Sequence, residues 1–206
     1  MNRARAVVTV WALGHGVSVR QVASMVVLWF ATALSCHVAL PRIAPGIEQP
    51  SVDLQLFGIV ALAATGGATS LLFHDGIAWL SSTAPGRLWI ARAAWGCAVL
   101  AGTVVLALAS VPFLPAGLPV DSAYLAVGAI WWSVSLTAVA AVGRLAGLLG
   151  PLVLAVVATT KVVPWQWNIV VHPDHGATRV AVAVSAVLAA TALYALVGSA
   201  SDRRSR

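Results

Sequence analysis

The chain has 206 residues, 60% of them hydrophobic and 9% charged, with a mean hydropathy of +0.93. Ordinary soluble domains carry roughly 25% charged residues, so water is not the main solvent of this chain and a large soluble domain is excluded. The formal net charge of +6 and the pI of about 10.7 do not point to nucleic acid, because the basic residues flank apolar runs instead of clustering with aromatics on one face.

At about 20 residues per crossing, the length accommodates about six helices and short loops. In chain order, Arg3 and Arg5 come first, followed by the apolar stretch VVTVWALGHGVSV. It is short, broken by Gly14, His15 and Gly16, and followed by Arg20 instead of a small-residue cleavage site, so it does not read as a cleaved signal. Nor does ATALSC, ending at Cys36, read as a lipoprotein box, since Ala33 stands where a bulky apolar residue belongs. Residues 5–19 are therefore expected as an amphipathic segment on the inner surface, with Trp11 and Leu13 in the interface and Arg5 and Arg20 at the headgroups.

Apolar runs then recur near 21–40, 53–73, 87–111, 122–142, 145–163 and 177–198. Val, Ala and Leu fill them without period-2 alternation, and lipid demands a backbone satisfied within each segment, so helices are favoured over barrel strands. The expected fold is all-α: one polytopic transmembrane domain over residues 1–206, with six spans. Orientation follows from the twelve Lys and Arg residues. With the N-terminus inside, Arg3, Arg5, Arg20, Arg87, Arg92, Arg144, Arg203, Arg204 and Arg206 lie inside, and only Arg42, Lys161 and Arg179 outside. That excess predicts N-in, C-in topology in the cell membrane, with membrane lipids as partners.

Few polar features interrupt the runs. Cys36 and Cys97 fall in different spans without a C-x-x-C pair or neighbouring His, so both read as small packing residues. His37, Asp53, His74, Arg92 and Arg179 fall near span ends, within reach of snorkelling or water, which leaves the bundle centre without a titratable coupler. The stretch ATGGATS, residues 64–70, reads as small-residue helix packing or as a helix that unwinds to bind an ion. The G-x-x-x-G of Gly143 and Gly147 is a match of the kind that 17 glycines produce by chance.

Motifs of chemistry are missing. There is no G-x-x-x-x-G-K-[ST], the single lysine being Lys161 near the expected outer face, so ATP has no P-loop here. G-x-S-x-G and H-E-x-x-H are absent too. HPDH, from His172 to His175, offers two His and an Asp to a metal, yet Pro173 and Gly176 favour a solvated turn. No catalytic, cofactor-binding or metal-binding residue is assigned.

Two polar-to-apolar junctions carry the functional reading. In HDGIAWLSSTAPGRLWIARAAW, residues 74–95, Asp75 can cap a short helix that sets Ile77 and Leu80 one turn apart beside Trp79. Thr83 can cap the next span, with Pro85 in its first turn and Arg87 and Trp89 as interfacial anchors. The apolar trio either dips into the headgroups or docks a soluble partner. In VVPWQWNIVVHP, residues 162–173, Pro164 breaks the fifth span, Trp165 and Trp167 suit the interface, and Asn168 needs a polar partner if buried. This stretch is either an aromatic belt or an outer gate.

Taken together, the layout of six spans, the interfacial N-terminal segment, the loop HDGIAWLSSTAPGRLWIARAAW and the external VVPWQWNIVVHP resembles the ABC-2 type transporter permeases. The resemblance implies an exporter half in which a short coupling helix precedes the third span, here Asp75, Ile77, Trp79 and Leu80, and an external element forms a gate, here Pro164, Trp165, Trp167 and Asn168. It also implies a second permease half, in a homo- or heterodimer, and a separate cytoplasmic ATPase subunit holding the ATP and Mg. On that view the chain is not itself an enzyme. Two other classes stay open: a non-transport membrane scaffold or assembly protein, and a membrane enzyme using the 172–175 loop.

Overall fold

The computed structural model describes residues 17–38, 54, 56–73, 88–159, 164 and 167–200. Among them every regular element is helical. The helices are α1 (Val19–Ser35), α2 (Leu56–Ala68), α3 (Leu88–Ser110), α4 (Ala126–Ala141), α5 (Arg144–Thr159) and α6 (Gly176–Val197). Three apolar helical stretches, Trp89–Phe113, Val120–Ala141 and Pro173–Val197, are long and apolar enough to cross a bilayer, which marks a membrane-associated protein. The remaining apolar helices are shorter: Val19–Ser35, Leu56–Leu72 and Arg144–Thr159.

Local chemistry sets several of the ends. Ser18 caps α1 in a capping box. Its Oγ accepts from the Gln21 amide at 3.3 Å, and the Gln21 side chain accepts from the Ser18 amide at 2.7 Å. The residues after α2 tighten into a 3₁₀ turn, Thr69–Leu72. A π-helical turn, Val120–Leu125, opens the long fourth stretch, with the amides of Ala123 and Tyr124 both donating to the Pro119 carbonyl. Between α4 and α5 the chain reverses at Gly143, whose φ is +136°. A residue without Cβ adopts that conformation at no steric cost.

Alternation of direction is evident from the contacts. Thr32 Oγ1 pairs with Thr65 Oγ1 at 2.7 Å and Cys36 lies against Gly58, so α1 and α2 are antiparallel. Trp95 near the start of α3 donates from Nε1 to the Leu72 carbonyl at 2.9 Å, and Phe113 just beyond its end stacks edge-on with Phe30, so α3 runs alongside α1. Gly66 lies against Trp131 and Gly128 against Leu62, so α2 and α4 run together. Ser122 meets Gly176 at one end and Trp132 shares a cluster with Tyr194 at the other, so α6 joins them.

The α4 helix sits at the centre. One cluster gathers Trp29, Ile59, Leu62, Tyr124, Val127 and Trp131; a second gathers Phe73, Trp132, Leu136, Val139 and Tyr194. The ring of Phe73 meets those of Trp132 and Tyr194 edge to face, at 6.2 and 4.9 Å, an arrangement that suits the ring quadrupoles. Hydroxyls inside the bundle are mostly absorbed by helix carbonyls one turn back. Ser133 Oγ, for example, donates to the Ala129 carbonyl at 2.7 Å.

Close packing carries the α2–α4–α5 junction. Gly147 takes part in it by itself: a Cβ there would overlap Val139 and crowd Ser70 and the Ser135 carbonyl. Gly143 belongs to the turn instead, so the two do not form one packing face. The ATGGATS stretch packs and tightens at once. A Cβ on Gly66 would lie 3.0 Å from the Trp131 backbone, and one on Gly67 would overlap the Leu148 carbonyl oxygen. Pro151 inside α5 removes an amide from the same region of the helix and leaves the Gly147 carbonyl without its intrahelical donor.

The cysteines also diverge. Cys36 packs as expected, buried with Sγ donating to the Thr32 carbonyl at 3.3 Å. Cys97 does not, for it is exposed on α3. Its helix turns that face away from the bundle, which span composition alone does not reveal.

Candidate functional site

Two regions gather the features that bear on function: the chain that follows α5, and an apolar groove between α1 and α3. Residues Asp75, Ile77, Trp79 and Leu80 of the expected docking helix, with Trp11, Trp165 and Arg87, lie outside the described residues. Trp89 is described and stands exposed in the first turn of α3.

After α5 ends at Thr159, the described part of the 162–173 stretch begins at Pro164, which is exposed, and its carbonyl accepts from the Trp167 amide at 3.0 Å. Trp167 is among the most exposed large side chains, at 73%. Asn168 turns the other way. It is buried, and its Nδ2 donates to the Ala158 carbonyl, an end carbonyl of α5 that lacks an intrahelical donor. Next, the 3₁₀ turn Pro173–His175 leads into α6, with the Asp174 amide donating to His172 Nδ1 at 3.2 Å and the Asp174 side chain open to solvent. HPDH is thus a helix-entry turn. Among the described residues no group of three His, Cys, Asp or Glu is placed to hold a metal.

Arg179 corrects the reading that water or snorkelling reaches it. Its side chain is 0% exposed. Nε donates to the Ile169 carbonyl at 2.7 Å, one terminal nitrogen to the Ser122 carbonyl at 2.7 Å, and the other to the His172 carbonyl at 2.6 Å. The planar guanidinium fork thus ties three segments together: the first turns of α6, the 169–172 chain and the π-helical turn before α4. Position near a span end suggests solvent, but the preceding chain folds back over the first turn of its own helix. No local pattern signals that cover.

Nothing in the span pattern announces the groove. It lies between Met25 and Trp29 on α1 and Val99, Gly102 and Leu106 on α3, with Leu72 at its edge, and encloses about 350 Å³. Its hydroxyls are already used: Thr103 Oγ1 donates to the Val99 carbonyl at 2.7 Å and Thr69 Oγ1 to the Gly66 carbonyl at 2.6 Å. No charged side chain lines it among the described residues. The groove is half open to its surroundings, and water finds too few polar partners there to fill it. The only sequence signal is Gly102 itself, a small residue on α3 where a Cβ would meet nothing within 4 Å.

No family model matches the chain, and neither the curated proteins nor the solved structures contain a significant match to it.

Proposed function

We propose that the chain is the transmembrane permease subunit of an ATP-driven transporter of the ABC-2 type, an exporter half that lies in the cell membrane with both termini inside. The observation that supports this reading most is the alternation of six apolar helices with α4 at their centre, joined to a segment after α5 held down by Arg179 and Asn168. In this reading the chain crosses six times in alternating sense, with the loop of residues 74–87 cytoplasmic and the chain between α5 and α6 on the opposite side. An energy source has to arrive from another chain, since the sequence contains no nucleotide-binding motif.

In this reading a cytoplasmic ATPase subunit grips Ile77, Trp79 and Leu80, and a second permease half completes the path. Closure of the ATPase dimer moves the docked helices as levers and rocks the bundles between inward and outward openings. The described part of the gate candidates has a division of labour suited to that motion: Trp167 faces outward, while Asn168 holds the element to the end of α5.

The test is co-purification from membranes. An ATPase should accompany the wild-type chain, and Trp79→Glu or Leu80→Glu should reduce its capture by about a hundredfold, because a carboxylate would be desolvated at the contact. Membrane abundance of both variants should stay near wild type. A non-ATPase partner lost through the same substitutions would establish the scaffold reading instead, and a stoichiometric metal at 172–175 without any partner would establish the enzyme reading.

A further inference from the structure

We infer that the groove between α1 and α3 is a binding site for one acyl chain of a membrane phospholipid. The site stands independently of the permease reading, since it rests on the shape and lining of the groove alone.

The lining chooses the chemistry. Met25, Trp29, Val99 and Leu106 present hydrocarbon and ring surface, and the Thr69 and Thr103 hydroxyls are turned back to their own helices. Trp95 lines the groove too, but its Nε1–H is given to the Leu72 carbonyl. Among the described residues the one unused donor is the Trp29 Nε1–H, so a polar ligand would lose its water for a single partner, whereas a methylene chain loses little on leaving the bilayer and gains close contacts.

Length and position choose the occupant. The lining runs from Val17 to Trp29 on the α1 side, twelve residues or about 18 Å at 1.5 Å per residue. Half of a hydrocarbon core of about 30 Å is about 15 Å, so the groove is one leaflet deep. Its beginning coincides with the capped end of α1, where Ser18 and exposed Arg20 mark a polar level for a headgroup. Beside it the outer surface continues in exposed Val104, Val105 and Leu108, so a chain enters sideways from neighbouring lipid.

A second copy of the protein fits less well. A groove of that length and about one helix wide, about 10 Å, offers on the order of 200 Å², against about 800 Å² per partner in a stable interface.

Gly102 supplies the means of testing this. Gly102 lines the groove and a Cβ there meets nothing within 4 Å, so Gly102→Phe starts its ring from open space at the groove. Val105, which lines the groove while 63% exposed, gives a second blocking variant, Val105→Trp, at a position tolerant of change. The full-length chain is reconstituted in vesicles of phosphatidylcholine and phosphatidylglycerol carrying a photoactivatable group on one acyl chain, and the labelled peptides are mapped. Label should concentrate on Val22, Met25 and Leu106. Each blocking variant should lower it about tenfold, equivalent to about 1.4 kcal/mol, while exposed Val153 on α5 and Leu188 on α6 keep theirs. Should Gly102→Phe not fold, Val105→Trp decides alone. Equal labelling of the groove, Val153 and Leu188, or groove labelling insensitive to the folded variants, would overturn the site. So would groove residues that cross-link to a second copy and take up no lipid label.

Discussion

The α3 and α4 helices are built from similar residues yet live in different surroundings. In the stretch Val120–Ala141, 67% of the most apolar window is buried inside the protein; in Trp89–Phe113 the share is 22%, as it is in Pro173–Val197. Hydropathy runs the other way. The central stretch averages 1.5, while the two peripheral ones reach 2.0 and 2.3. In water the most apolar helix would be the most buried, but lipid tails are as apolar as Leu, so hydropathy does not drive a helix to the middle of a bundle. Shape does, for Trp131, Trp132 and Ser135 of α4 each keep a buried polar atom without a hydrogen-bond partner. The α4 helix brings Trp131, Trp132, Ser133 and Ser135 to the centre, while α3 and α6 leave Val104, Leu108, Val184 and Leu188 exposed.

If close packing holds the centre and Arg179 ties the chain before α6 to it, four changes should rank in a definite order. The largest effect belongs to Arg179→Ala, which removes a fully buried guanidinium and leaves the half-buried carbonyls of Ser122, Ile169 and His172 without their shared donor. It should cost about 4 kcal/mol in reversible unfolding of the detergent-solubilised chain. Arg179→Lys should recover only part, because an ammonium cannot span three divergent acceptors. An Arg179→Ala loss below about 1 kcal/mol, the worth of a single ordinary hydrogen bond, would mean that the 169–172 chain is not held by this side chain.

A sharper contrast comes from one substitution made in both surroundings. Leu136 on α4 is 0% exposed, and Leu188 on α6 is 67% exposed. Leu136→Ala should cost about 3 kcal/mol through the cavity it leaves. Leu188→Ala should cost only about 0.5 kcal/mol or less, since lipid refills the space. Comparable losses at the two positions would break the distinction between centre and periphery. Between these extremes falls Gly67→Ala, whose new methyl meets the Leu148 carbonyl, a backbone atom that cannot rotate away. Overpacking of that kind should lose about 2 kcal/mol. Gly102→Ala, on the open face of α3, is the matching control and should leave the unfolding transition in place.

The positions of the helices are legible in the sequence because length and hydropathy add up residue by residue, and a backbone in lipid has to satisfy itself locally. The apolar runs near 87–111 and 177–198 correspond closely to Leu88–Ser110 and Gly176–Val197. Capping chemistry is local as well: Pro173 and Gly176 announce the turn that enters α6, and Asn168 announces its need of a partner. Which face of each helix meets protein is not legible, because lipid and a packed core reward the same residue types. That is why Cys97 reads as a packing residue, and why the groove beside Gly102 leaves so faint a mark. Arg179 shows the same division at a polar residue. Its sequence position places it near a helix end, but its burial comes from carbonyls on segments up to 57 residues away. Such burial depends on how the chain folds back on itself, a relation between distant segments that no local pattern encodes.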